Sequence, residues 1–222
     1  MVFPQSPSPI YGQTYAPNQV ANLNLSSNNT SLTLEIVTNT NLFVAYINQQ
    51  LQQQNASIGK GGYLENRSVY KRSTHFDGAE PRTLHLGVDL WTAAPTPLYA
   101  PLAGTIHSFQ DNKGFGNYGP TLILQHQYQN TTYFTLYGHL SRNSLANYAV
   151  GDNIKAGHYI GETGQPHENG NWPVHLHFQV ITDMLNGFGD FAGVAPLSEQ
   201  AYWATLCPDP MPLLVIEHAQ YD

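Results

Sequence analysis

The sequence predicts a mainly β protein: a compact body of antiparallel sheet, barrel-like in its closure, with one N-terminal helix and irregular N- and C-terminal extensions. Three observations carry that reading. Charged residues are only 10% of the 222 positions, while glycine, tyrosine and the small polar residues abound, which suits strands and turns better than a helical bundle. From about residue 83 onward, short apolar runs recur between Gly, Pro and Asn signals at the spacing of successive strands. Only one stretch keeps a helical period. A chain of this length can bury its apolar surface in a single core, so one domain with extensions is expected. Residues 1–70 would supply an arm, a strand and a helix packed on the body, residues 71–190 the body itself, and residues 191–222 a tail.

Residues 1–30 are rich in Pro, Ser, Gln and Asn without apolar periodicity and read as an extended arm. In "SLTLEIV", Leu32, Leu34 and Ile36 alternate with Thr33 and Glu35, the period of a half-buried strand. Thr38 or Asn39 then caps a helix over "NLFVAYINQQLQQQ", where Phe43, Ile47 and Leu51 share one face, and "NASIGKGG" ends it. The strand-like runs that follow are "LHLGVDLW", "PLYAPLAGTIHSF", "PTLILQHQY", "TYFTLYGHL", "YIGETG" and "HLHFQVI", with "HQYQNTTYF" forming a hairpin turn between two of them. The C-terminal residues read as a tail packed on this body.

Charge and cysteine content exclude several classes. A net charge of -7 with just 8 Lys plus Arg offers no footprint for a phosphate backbone, so nucleic acid is not an expected partner. Cys207 is the single cysteine, which rules out an intrachain disulfide and a thiolate metal cluster, so any metal here must use His and carboxylate. The first residues lack the basic and apolar regions of a leader peptide, and "LFVAYI" falls far short of the roughly 20 residues that span a bilayer. The expectation is a soluble chain without a membrane span, cytoplasmic by default or exported by another route.

Three segments concentrate chemistry. In "HLGVD", His85 and Asp89 share a face of a straight strand but lie about 13 Å apart there, too far for one metal. Gly87 between them permits the bulge or turn that would bring both to one point; the plainer reading is an ordinary strand with a surface Asp. In "HLHF", His175 and His177 stand on one face about 6 to 7 Å apart at their roots, while Leu176, Phe178 and Val180 face a core. Both could bind one metal, or one could bind while the other works on substrate. "LYGHLS" delivers His139 at a strand end. Together these residues are the inventory of a catalytic zinc site: three protein ligands, an open position, and imidazoles left for proton work.

"RTLHLGVDLW", "PLYAPLAGTIHSF", "NYGPTLILQH", "LYGHLS", "VGDNIKAGHYIGETG" and "HLHF", in that order, resemble the successive blocks of the M23 family of zinc metallopeptidases, the lysostaphin and LytM type, over roughly residues 82–181. The resemblance implies a compact antiparallel fold, the duplicated hybrid motif, with the site in a groove at one end of the sheet. It implies one zinc ion held by His85, Asp89 and His177, with His139 and His175 as catalytic histidines. The implied activity is hydrolysis of amide bonds in peptidoglycan stem or cross-bridge peptides, or related short peptides, by metal-activated water. The chain departs from the pattern before the last motif, where "ETGQPHENGNWPVHLHFQV" is longer than usual and carries His167, Glu168 and Trp172, so the groove wall is expected to differ.

Asn117, Tyr137 and Trp172 are candidate substrate contacts, and "GYLENRSVY" is a candidate neighbour of the site. His107, His126 and His158 read as structural or partly buried, and His75 and His218 as surface residues. Two other functions compete. The Gly-rich hairpin also resembles the glucose-type phosphocarrier domains of the sugar phosphotransferase system, which use a His pair without metal, but a carboxylate such as Asp89 would repel the phosphoryl group. A degenerate M23 scaffold that binds glycan or a partner without catalysis is the other, and it would be expected to have lost at least one of the five site positions.

Overall fold

A computed structural model describes residues 6–217 of the chain. The N-terminal part of the arm and His218 lie outside the described residues. The first strand, β1 (Val20–Asn22), pairs parallel with β2 (Ile58–Gly61), and between them run the helices α1 (Leu34–Thr38) and α2 (Thr40–Gln53). This crossover is what permits the parallel pairing, since a tight hairpin could not. Helix α2 starts as expected: the Asn39 side chain accepts the backbone N–H groups of Asn41 and Leu42, and Phe43 and Ile47 point inward.

The expected strand over "SLTLEIV" is instead the short helix α1. Thr33 caps it by accepting the Ile36 N–H. Leu32 before the cap and Val37 within the helix are both buried in one cluster, while Leu34 is exposed. Apolar residues flanking an N-cap in this way form a hydrophobic staple. The staple buries Leu32 and Val37 together, a pair that strand alternation would have separated.

The body follows the sequence expectation closely. Its strands are β3 (Arg82–His85), β4 (Val88–Trp91), β5 (Pro97–Tyr99), β6 (Gly104–Asn112), β7 (Gly119–Tyr128), β8 (Thr131–Gly138), β9 (Asn153–Ile154), β10 (Tyr159–Glu162), β11 (His175–Ile181) and β12 (Val194–Pro196). An eight-stranded sheet has the order β1-β2-β4-β11-β8-β7-β6-β9, and every pairing in it except β1 with β2 is antiparallel. Two small ribbons, β10 with β5 and β12 with β3, complete the architecture. The β7–β8 hairpin turns on Gln129 and Asn130, both at positive φ, the left-handed pair that a two-residue turn between twisted strands requires.

The arm and the tail both enter the core. Ile10 is fully buried beside Leu213, Leu214 and Ile216, and the Tyr99 N–H donates to the Ile10 carbonyl. Residues 6–25 are therefore packed chain rather than a free arm. In the tail, β12 joins β3, and the helix α3 (Gln200–Leu206) leads to the buried Cys207. Two of the structural histidines sit as expected: His126 is buried between the Ala103 carbonyl and Thr135, and His107 is half-buried against Phe134. His158 is exposed, contrary to expectation, because it lies in the turn before β10 rather than within the strand. His75 is exposed. No helix among the described residues is long and apolar enough to cross a membrane.

If the arm is integral, Ile10→Ala should destabilise the protein by about 2–5 kcal/mol. A urea denaturation midpoint unchanged from the parent would contradict this packing.

Candidate metal centre

The site begins with a register. Strand β11 lies between β4 and β8, and His177 is paired with Asp89 on one side and with Gly138 on the other. Alternation along β11 puts His175, His177 and Gln179 on one face and sends Leu176, Phe178 and Val180 into the core. Between β3 and β4 the chain breaks at Leu86 and Gly87, which folds His85 back over Asp89. A Cβ at Gly87 would lie 2.6 Å from the Phe178 carbonyl oxygen and 2.8 Å from the His177 ring. Glycine is needed here so that an imidazole can approach the backbone.

These elements bring three atoms together. His85 Nε2 lies 2.9 Å from His177 Nδ1 and 3.2 Å from Asp89 Oδ1, and His177 Nδ1 lies 3.1 Å from the same carboxylate oxygen. The opposite ring atoms settle the protonation. His85 Nδ1 donates to the Gly62 carbonyl at 2.9 Å. Gln179 donates its amide to the Ala192 carbonyl, which leaves its Oε1 to accept from His177 Nε2 at 2.8 Å. His85 Nε2, His177 Nδ1 and Asp89 Oδ1 therefore face one another as three lone pairs with no proton among them. A cation relieves that arrangement, and ligand atoms about 2.0 Å from a tetrahedral centre stand at comparable separations. All three residues are buried and form the one group of its kind among the described residues.

The electrostatics suit metal binding. Burial foremost, and the Arg67 charge after it, push His85 down to about 4, so the ring is neutral. Burial alone would raise the Asp89 carboxyl, but the charge of the Arg67 guanidinium holds it well below the usual carboxylate range. Arg67 Nη1 donates to Asp89 Oδ2 at 2.5 Å.

His139 and His175 stand beside this group with ring centroids 4.2 Å apart. His139 follows β8 in the left-handed region, φ 65°, held by its own N–H on the Tyr118 carbonyl and its carbonyl on the Gly164 N–H. Its Nδ1 donates to the Asn169 carbonyl at 2.9 Å, and His175 Nδ1 donates to the Pro173 carbonyl at 2.7 Å. Each ring thus keeps its Nε2 lone pair, and that of His175 is 3.8 Å from Asp89 Oδ1. Burial holds both rings below the ordinary histidine value, for His139 with His175 and His177 adding to the effect and for His175 with Asp89 opposing it.

A cleft of about 420 Å³ opens over these residues, walled by Tyr70, Phe76, Trp91, Tyr118 and Trp172. Trp172, from the segment that departs from the M23 pattern, packs against Phe43, Tyr70 and Phe76, with Arg72 Cζ 4.4 Å above its ring. Its Nε1 donates to the Asn117 carbonyl at 3.3 Å. Asn117 reaches the cleft, but its side-chain oxygen accepts the Tyr118 N–H and so serves the turn. Tyr137 does not reach it. Fully buried and paired with Phe178, it faces the core with its hydroxyl against Thr135, because it precedes Gly138 by one residue and so points the other way. Tyr118 stands in the cleft instead, its hydroxyl 3.3 Å from His177 Nε2.

The segment "GYLENRSVY" borders the site as expected, through Gly62, Arg67 and Tyr70, but sequence reasoning did not single out Arg67 within it, nor Gln179 and the carbonyl partners of the histidines. Gln179 alone left a readable signal, since it continues the polar alternation of His175 and His177.

Residues 83–187 match the family model for Peptidase family M23. Among solved structures, the catalytic domain of the antimicrobial peptidase lysostaphin from Staphylococcus simulans is 25% identical with a TM-score of 0.45, covering 69% of this chain and 89% of that one. A zinc-containing peptidase from Vibrio cholerae is 28% identical with a TM-score of 0.34 over 44% of this chain, which spans only 27% of that one. The catalytic domain of a prophage-encoded M23 protein from Enterococcus faecalis is 22% identical with a TM-score of 0.37, covering 52% and 77% of the two chains. No curated protein matches the chain.

Asp89→Ala should lose bound divalent metal, whereas His139→Ala, which removes none of the three convergent atoms, should retain it. Metal content of the purified variants by elemental mass spectrometry checks both, and full metal occupancy in Asp89→Ala would refute the ligand set.

Proposed function

We propose, on the premise that this chain is through residues 83–187 a member of peptidase family M23, that it is a zinc-dependent endopeptidase acting on peptidoglycan stem or cross-bridge peptides. The observation that carries the proposal is the convergence of three lone pairs from His85, Asp89 and His177 next to two neutral imidazoles with free Nε2 atoms. The substrate class rests on the family. When bound by His85, Asp89 and His177, zinc would supply Lewis acidity toward the scissile carbonyl and lower the pKa of water at the site.

The residues of the chain divide the remaining work. His139 and His175 are held with Nδ1 on backbone carbonyls, so each can accept a proton only at Nε2, the atom facing the cleft. One of them takes the proton of the attacking water. A ring so charged becomes a donor at Nε2 and can pass that proton to the leaving amine. The other, neutral with its Nδ1 proton on a carbonyl, offers a lone pair at Nε2 that can orient the attacking water, and it donates to the oxyanion only when the single proton taken from water resides on it rather than on its neighbour. The aromatic walls exclude solvent around these transfers, and in that setting the charges act with less screening. A phosphocarrier role fits poorly, because the Asp89 carboxylate lies 3.2 Å from His85 and 3.1 Å from His177 and would repel a phosphoryl group on either.

The test is mass spectrometry of fragments released from purified peptidoglycan by the zinc-loaded protein. New peptide termini should appear with the parent protein and be absent with Asp89→Ala; their absence from both would refute the peptidoglycan reading. His139→Ala and His175→Ala should each lower turnover by about 10² or more with zinc still bound. Full activity in either variant, measured by single-turnover assay, would remove that residue from the proton path.

A further inference from the structure

Both ligands that flank the β3–β4 break are oriented by one short loop, residues 62–67, which lies upstream of the family-matched region. The Gly62 carbonyl accepts from His85 Nδ1, and Arg67 Nη1 donates to Asp89 Oδ2. The loop is tied along β3 by backbone hydrogen bonds: Leu64 N–H to the His85 carbonyl, His85 N–H to Glu65, and Arg67 N–H to Thr83. Arg67 is 2% exposed, rare for a charged side chain and tolerable only with ionic partners. Its second partner is Glu65, whose Oε2 accepts from Arg67 Nε at 2.7 Å. Glu65 Oε1 in turn accepts the Leu25 N–H at 3.1 Å. A line of four groups therefore runs from the N-terminal segment to the metal centre: the Leu25 backbone, Glu65, Arg67 and Asp89.

A carboxylate has two oxygens, and either can meet a metal. With Oδ2 engaged by a rigid guanidinium, only Oδ1 is presented to His85 and His177. We propose that Arg67 is a positioning residue of the metal centre, fixing Asp89 with one oxygen toward the ion. The N-terminal segment, through Leu25 and Glu65, holds Arg67 in place. The inference rests on the zinc-binding reading above, and it makes the region spanning residues 83–187 incomplete as a metal site without the chain that precedes it.

The test uses the full chain with zinc alone as probe. Zinc affinity is measured by competition with a chromophoric chelator, and the cobalt-substituted protein is compared by its visible spectrum. Arg67→Met, similar in length but without donors, should bind zinc about 10 to 100 times more weakly, with an altered cobalt spectrum. Arg67→Lys keeps the charge without the fork and should recover part of the loss. If Arg67→Met does not fold by circular dichroism, Arg67→Lys and Glu65→Gln carry the test, each with weakened zinc binding and a shifted cobalt spectrum. Zinc affinities within about twofold of the parent and unchanged spectra in the folded variants would overturn the inference while leaving the peptidase reading intact. Failure of the parent protein to bind zinc would overturn both.

Discussion

The pairing of His177 with Asp89 on one side and Gly138 on the other is the constraint on which the rest depends. Side chains alternate along a strand, so a slip of β11 by one residue would drive three polar groups into the core and turn Leu176, Phe178 and Val180 toward the cleft. Burial of those three apolar side chains therefore selects the register that assembles the polar site. The same register sets Gly138 opposite His177, where a Cβ would stand 2.6 Å from the Tyr118 ring. A missing side chain at that position gives Tyr118 its place beside the imidazole.

Gathering so many polar groups below the surface is costly, since each buried donor or acceptor left unpaired costs about 1–3 kcal/mol. The structure offsets this with a directed partner for each: Gly62 for His85, Asn169 for His139, Pro173 for His175, Gln179 for His177 and Arg67 for Asp89. Four of these five partners reach the site residue through a backbone carbonyl or a side-chain amide oxygen, which accepts a proton and never donates one. The choice of acceptors leaves each outer histidine a lone pair at Nε2 and turns the unprotonated nitrogens of His85 and His177 toward Asp89. Protonation state is thus set mainly by main-chain geometry and burial.

Much of the body was legible because its signals are local. The β7–β8 turn, the helix with Phe43 and Ile47 inward, the alternation in "HLHF" and the need for a break at Gly87 all depend on residues within a few positions of one another. The failures share a different cause. "SLTLEIV" was misread because Leu34 completes an apparent alternation, while the deciding contact is the staple between Leu32 and Val37 across the Thr33 cap. Tyr137 was placed in the groove because nothing in its own segment reveals that it opposes Phe178. Arg67 was not singled out: it lies in a loop, its partner Asp89 is on a strand 22 residues away, and a single arginine has no period to betray it. Contacts between distant segments were readable only where the ordered M23-like blocks pointed to them.

The aromatic wall of the cleft has a support of its own in helix α2. Trp172 leans on Phe43 of α2 and is capped by Arg72, which in turn donates to Thr40 at the start of the same helix and to the Asn171 carbonyl. Neither the three convergent ligand atoms nor the anchoring carbonyls of the outer histidines belong to that helix. The helix thus backs one jaw of the cleft. Residues on its inner face can therefore reshape one wall of the cleft without touching His85, Asp89 or His177, whose convergent atoms are set by β4, β11 and the break at Gly87.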